Sequence, residues 1–229
     1  YGNGGELLPE TLYKPRPFDM EEIAVYFEGE QDGQFNDNDF ILFYAKAINN
    51  WKYDTLSNSF RHYLNYYSRS NYYWICINTA GNGKRMITSP SENSGSAIIT
   101  SSFLEKIFYE PEQANRINEG NLWLSISKRP GSSFEWSTTL TGLENNSTLL
   151  YRIKLASRCL DPNSNNFLVK DDHSTMPEMY FPMGTVQPGF DNWIYTATEQ
   201  FTLEQSQKTN GEQVKLRSSY YATNGEAEG

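Results

Sequence analysis

Between Leu149 and Leu155 the chain alternates strictly, with Leu149, Tyr151, Ile153 and Leu155 on one face and Arg152 and Lys154 on the other. A period of two puts successive side chains on opposite sides of an extended backbone, so this segment predicts a half-exposed antiparallel strand with one side on a core. The same reasoning predicts strands around Phe134, Trp136 and Leu140, at Asn166–Lys170, at Thr196–Leu203 and at Gln213–Tyr220, where Val214 and Leu216 alternate with Lys215 and Arg217. Nearer the start, Ile23–Glu28 and Asp39–Ala45 are apolar runs rich in β-branched and aromatic residues. With the acidic, Gly-containing stretch between them they predict a strand pair. Tyr72–Asn78 reads as a buried strand, ended by turn chemistry at Gly81-Asn82-Gly83.

Helical periodicity is scarce. Only Ser59–Tyr67 and the stretch around Glu112–Asn118 suit short helices, and neither is long enough to stand alone. Polar stretches at Ser89–Ser96, Asp161–Asn165 and Asp171–Gly189 read as loops. Many short strands separated by Asn, Gly, Ser and Pro predict an all-β chain: an antiparallel β-sandwich or jelly roll, galactose-binding-like, over residues 86–229, behind a β-rich N-terminal module over residues 1–85. The chain begins at Tyr1 without a lead-in, and Glu226–Gly229 close no recognisable element, so it reads as a segment cut from a longer polypeptide with a C-terminal strand missing.

Composition narrows the function. Of 229 residues, 38% are hydrophobic and 15% aromatic, which allows a packed core and argues against general disorder. The aromatic share rests on 16 Tyr and 13 Phe, a bias toward strands. A net charge of -9, with Lys128, Arg129, Arg152, Lys154 and Arg158 scattered among strand positions, excludes the nucleic-acid backbone as a partner. No apolar run is long enough to span a membrane as a helix. Cys76 and Cys159 fit no metal spacing; they read either as one disulfide or as two independent buried thiols.

The sharpest local motif runs from Glu28 to Asp39. Glu28, Glu30, Asp32, Asn36 and Asp39 fall at positions 1, 3, 5, 9 and 12 of a twelve-residue loop with Gly33 at 6 and Phe35 at 8. Hard oxygens at that spacing suit calcium. Glu stands at the first two ligand positions and strands flank the loop, so an acidic turn around Asp32-Gly33 is the simpler reading. His62 and His173 are the chain's two imidazoles, and neither lies near a cysteine in sequence. Glu110 and Glu112 read as a solvated loop, and Gly2-Asn-Gly-Gly5 lacks the lysine of a phosphate loop. No catalytic residue is assigned. Trp74 and Trp136 read as core; Trp51, Trp123 and Trp193, with polar neighbours, are the better candidates for stacking on a sugar, although core is the simpler reading for each.

A set of segments in order then carries a family likeness: Tyr1–Glu10, Phe18–Glu22, Glu30–Asp37, Asp39–Tyr44, Trp51–Asp54, Asn65–Ser68, Tyr72–Trp74, Gly83–Arg85, Gly120–Trp123 and Tyr151–Ala156. Together they resemble the region ahead of the peptidase domain in the PorU-like sortases, the gingipain-type peptidases of the type IX secretion system of Bacteroidetes. Glu6 after Gly4-Gly5, and Ala45-Lys46-Ala47, depart from that pattern. The resemblance implies an exported protein at the outer surface of the outer membrane, whose Cys–His dyad removes C-terminal signals from secreted cargo. That dyad lies beyond this region, and none of His62, His173, Cys76 or Cys159 matches its motifs. The implied role is a non-catalytic accessory module. Its partners would be the downstream peptidase domain, outer-membrane secretion components or cargo. A carbohydrate-binding jelly-roll module is the alternative.

Overall fold

The computed structural model describes residues 1–2, 13, 18–65, 68–77, 81, 83–89, 100–115, 123–125, 127–161, 164–186, 194–223 and 226–228. Their regular structure is antiparallel strand throughout, apart from two short 3-10 turns, as the period-two patterning predicts. The chain divides into two compact units, Tyr1–Phe108 and Tyr109–Gly229.

The first unit is built from two hairpins. β1 (Val25–Glu28) pairs with β2 (Phe40–Phe43) in the register Val25↔Phe43 to Glu28↔Phe40. Met86 N–H donates to the Val25 carbonyl (2.9 Å) and Val25 N–H to that of Lys84 (3.0 Å), so the segment around Arg85 lies along β1. β3 (Asn50–Asp54) pairs with β4 (Ser59–Tyr63). This overturns the helix expected from Ser59: the residues meet β3 rung by rung, with Trp51 opposite His62 and Tyr53 opposite Phe60. The turn between them is fixed by Asp54, which accepts from the Leu56 N–H (3.1 Å), the Ser57 hydroxyl (2.7 Å) and Arg61 Nε (2.8 Å). A short strand is decided by the partner it finds, which local propensity does not reveal.

Tyr72–Ile77 is likewise not the buried strand expected of it. It forms no ladder among the described residues, and Ile75 and Ile77 face solvent. Its backbone is tied to the start of the chain at one point: the Trp74 N–H donates to the Tyr1 carbonyl and the Tyr1 amine to the Trp74 carbonyl, both at 3.0 Å.

The second unit is a two-sheet sandwich. One sheet has the order β5 (Ser133–Thr139), β10 (Gln213–Tyr221), β7 (Asn166–Asp171), β8 (Met179–Pro182). The other has β11 (Glu226–Glu228), β6 (Thr148–Arg158), β9 (Tyr195–Glu204). Every connection except the β7–β8 hairpin crosses from one sheet to the other, so strand neighbours are distant in sequence. β8 sits within what the sequence presents as the loop Asp171–Gly189, and β11 gives the C-terminal residues an element where none was expected. Around Glu112, the described residues to Asn115 hold no helix; Ala114 instead bridges Leu124.

Inward faces of both sheets meet in one core: Leu155 and Phe201 from one, Phe167, Val169, Phe181 and Tyr220 from the other, with Met183. The rows are those the alternation predicts, including Tyr151, Ile153 and Leu155 on β6. Tyr151 and Phe201 are opposite on paired strands and stack at 4.7 Å, and Phe167 and Tyr220 lie at 5.1 Å in the facing sheet. Burying side chains of this size contributes about 1.5–3 kcal/mol each before entropy is counted.

Candidate functional site

Three places in the molecule concentrate polar chemistry, one in the second unit and two in the first.

In the second unit, the inward row of β7 runs Phe167, Val169, Asp171. The third member is a carboxylate in an apolar row, and burying an unpaired charge is prohibitive. Asp171 is answered from four directions. Lys208 contacts Oδ2, with the side chains of both residues almost wholly withdrawn from water. The Tyr151 hydroxyl, on the opposite sheet, donates to the same oxygen (2.9 Å). The backbone N–H groups of His173 (2.9 Å) and Lys215 (3.2 Å) donate to Oδ1. Burial and then the Asp171 charge hold the Tyr151 hydroxyl well above the ordinary phenol range. The cluster joins both sheets and the Gln205–Lys208 turn. Its enclosure gives it a clamp's geometry, since a catalytic group must reach a substrate. On the outer face, Arg217 grips Asp172 with Nε (3.1 Å) and Nη2 (3.0 Å) and reaches Glu178 (3.2 Å). That pairing holds the Asp172 carboxyl below its ordinary value.

In the first unit, the loop between β1 and β2 opens with a 3-10 turn, Glu30–Asp32, bounded by Gly29 and Gly33 in the left-handed region (φ 87° and 73°). Its acidic side chains do not converge. Tyr26 donates to Glu28, and Arg85 pairs with Glu30 through Nε (3.0 and 2.9 Å) and Nη2. Asp32 accepts from the Gln34 N–H (2.9 Å) and from Asn36 Nδ2 (3.0 Å). Asp39 accepts from the Asn36 N–H (2.7 Å). Among the described residues, no three His, Cys, Asp or Glu side chains come together as a metal-binding group.

The third place is a concavity of about 220 Å³ in the first unit, with Ile48 on its apolar side and Tyr72, Trp74, Asn65, Ser68 and Asn71 around it. The sequence pattern assigned Trp74 to a core; its ring is 51% exposed. The missed signal is local: Tyr73, between two outward-facing aromatics, is the residue that turns inward, against Phe43 at 5.4 Å.

The remaining sequence candidates are dispersed. Trp123 is 39% exposed, next to the Ala114–Leu124 bridge, and Trp193 lies outside the described residues. His62 stacks on Phe108 at 3.8 Å and meets Trp51 edge-on at 5.1 Å. Cys76 and Cys159 are free thiols, not the disulfide of one reading; Cys159 is buried and Cys76 exposed, where the other reading had both buried. Burial, and after it the neighbouring Cys159, pushes the Tyr220 hydroxyl up. No helix among the described residues is long and apolar enough to cross a membrane.

No family model matches the chain, and no curated protein matches it in sequence. Among solved structures the fold is similar to the crystal structure of dimeric latent PorU from Porphyromonas gingivalis, with a TM-score of 0.55 and 14% identity. The likeness covers 99% of this chain and 20% of that one, so the chain spans about a fifth of that protein's length.

Proposed function

We propose that this chain is a non-catalytic accessory β-module of a gingipain-type sortase that processes the C-terminal signals of type IX secreted proteins. The observation that carries the reading is the proportion of the structural likeness: nearly all of this chain corresponds to a fifth of dimeric latent PorU. The ordered segments from Tyr1 to Ala156 support it independently, because they resemble the region that precedes the peptidase domain in that family. In this reading the module works by packing and recognition at the cell surface, against the peptidase domain of its own protein and against secretion components or cargo.

The internal chemistry fits a scaffold. Asp171 and Lys208 are sealed inside the sandwich, and Cys159 is buried in the second unit, beside Tyr220. A nucleophilic thiol requires access to a substrate, which burial denies Cys159; Cys76 is exposed, so the test includes it. The test is an assay of the 229-residue chain on peptides carrying type IX C-terminal signals. We expect no turnover from the chain alone, and a rise in melting temperature when it is mixed with a gingipain-type sortase catalytic domain. Turnover abolished by Cys76→Ala or Cys159→Ala would overturn the proposal, as would the absence of any effect on the catalytic domain.

A further inference from the structure

We propose that the concavity beside Tyr72 and Trp74 is a binding site for a single ring of a neutral saccharide. Three observations lead there.

The first is the backbone that presents the two rings. In an extended segment successive side chains alternate. Tyr73 is anchored inward: its hydroxyl accepts from the Lys46 N–H (2.7 Å) and donates to the Lys46 carbonyl (2.9 Å), while its ring packs on Phe43. Tyr72 and Trp74, on either side of that anchor, are 65% and 51% exposed. Their centroids lie 6.5 Å apart and the planes are inclined at 47°, an open angle rather than a collapsed stack. The presentation is held on both sides. Asn71 accepts from the Tyr72 N–H (3.0 Å) and donates to the Lys46 carbonyl (3.1 Å), and the Trp74 backbone is bonded to Tyr1 in both directions. Two large aromatics kept in water by a fixed backbone are positioned for a ligand with an apolar face and a polar edge.

The second is the lining. Beside the rings stand amides and hydroxyls, Asn65, Ser68, Ser70 and Asn71, together with the apolar Met20 and Ile48. Among the described residues no charged side chain lines the concavity. That composition disfavours phosphate, carboxylate or cationic ligands, which need an opposite charge when desolvated. Hydroxyl and amide groups match a polyol, and the aromatic faces match the C–H face of a pyranose.

The third is size. At about 220 Å³ the space falls below the ~300–1,000 Å³ of pockets that enclose drug-sized ligands. It suits one ring of a longer glycan, with the neighbouring rings in solvent. A proline-rich peptide also packs on paired aromatics, and it is the competing ligand that the experiment must separate.

The experiment is titration calorimetry of the 229-residue chain with methyl glycosides of neutral hexoses and N-acetylhexosamines and with neutral oligosaccharides, and with a proline-rich peptide in a parallel arm. We expect saccharide binding that falls at least tenfold in Trp74→Ala and in Tyr72→Ala and is unchanged in Trp123→Ala, with melting temperatures close to the parent in all three. Conservative Tyr72→Phe should keep most of the affinity, which separates ring stacking from a structural loss. Absence of binding to every saccharide, binding indifferent to Trp74 and Tyr72, or preference for the proline-rich peptide would each overturn the assignment. These outcomes are independent of the association with a catalytic domain, so one proposal can fail without the other.

Discussion

Lys208 meets Asp171 inside the sandwich with side-chain exposures of 0% and 1%, and the same carboxylate receives the Tyr151 hydroxyl from the facing sheet. The pair lies 37 residues apart in sequence, in the β7 end and the turn before β10. Two charges withdrawn from water gain stability only when both are present and further hydrogen bonds complete their shells. Here the His173 and Lys215 N–H groups complete that of Asp171.

Removing one partner leaves the other charge buried. Lys208→Met and Asp171→Leu should each destabilise the second unit by about 3–5 kcal/mol, read from urea unfolding. The double variant should lose less than the sum of the singles, because no orphan charge remains, while the Tyr151 hydroxyl and two backbone N–H groups still lack their acceptor. Single variants that each cost under ~1 kcal/mol would show that the clamp is not energetically closed.

The core of the same unit should respond in the ordinary way to truncation. Phe167 is fully buried between Tyr220 and the facing sheet, so Phe167→Ala should cost about 3–5 kcal/mol by the same measurement. Leu150, on the solvent face of β6, should tolerate Leu150→Thr within ~0.5 kcal/mol.

Those two positions also mark how far the sequence could be read. Leu149, Tyr151, Ile153 and Leu155 stand against charged neighbours, so one-sided burial wrote β6 plainly into the chain, and the all-β class followed from several such rows. β8 was hidden because four residues between Pro177 and a terminal Pro182 look like loop. Ser59–Tyr63 was misread because its partner, β3, decides its conformation. Asp171 carried a faint signal: it continues the buried row of Phe167 and Val169, and a carboxylate there demands a cation. Nothing marks Lys208 as that cation among the other lysines. Trp74 misled for the opposite reason, since an apolar neighbourhood in sequence became an exposed ring in space.

Acid should loosen the first unit before the second. His62 Nδ1 is buried without a hydrogen-bond partner, and desolvation lowers its pKa from 6.5. The unfolded chain therefore binds a proton at that residue more readily than the folded one. Stability present above pH 6.5 is lost as the pH falls below it toward the depressed folded value. The Asp172 carboxyl, lowered from 3.8 chiefly by its hydrogen bonds with Arg217, withdraws its contribution only as the pH falls below 3.8. The hydrogen-exchange protection factors of the β3 and β4 amides, corrected for the intrinsic rate at each pH, should fall between pH 7 and pH 5.5 while β7 and β10 keep theirs. His62→Phe, which preserves a ring against Phe108, should remove that loss of protection; persistence of the pH response in that variant would exclude His62 as its source.

The loop between β1 and β2 is the place where sequence spacing and side-chain geometry diverge most. Its carboxylates are at calcium-like intervals, yet Arg85 holds Glu30, Gln34 and Asn36 hold Asp32, and the Asn36 N–H holds Asp39. A cation would have to displace these donors and draw Glu30 away from a guanidinium. The loop's shape depends instead on Gly29, whose φ of +87° lies in the left-handed region that L side chains rarely adopt, and an added Cβ would also displace the Asp39 carboxylate. Gly29→Ala should therefore destabilise the first unit by about 1–3 kcal/mol. A chelator should leave its melting temperature unchanged, and millimolar calcium should not raise it. A calcium-dependent rise that disappears in Asp32→Asn would show that the donors rearrange around a metal after all, because ligand binding to the folded state must appear as added stability.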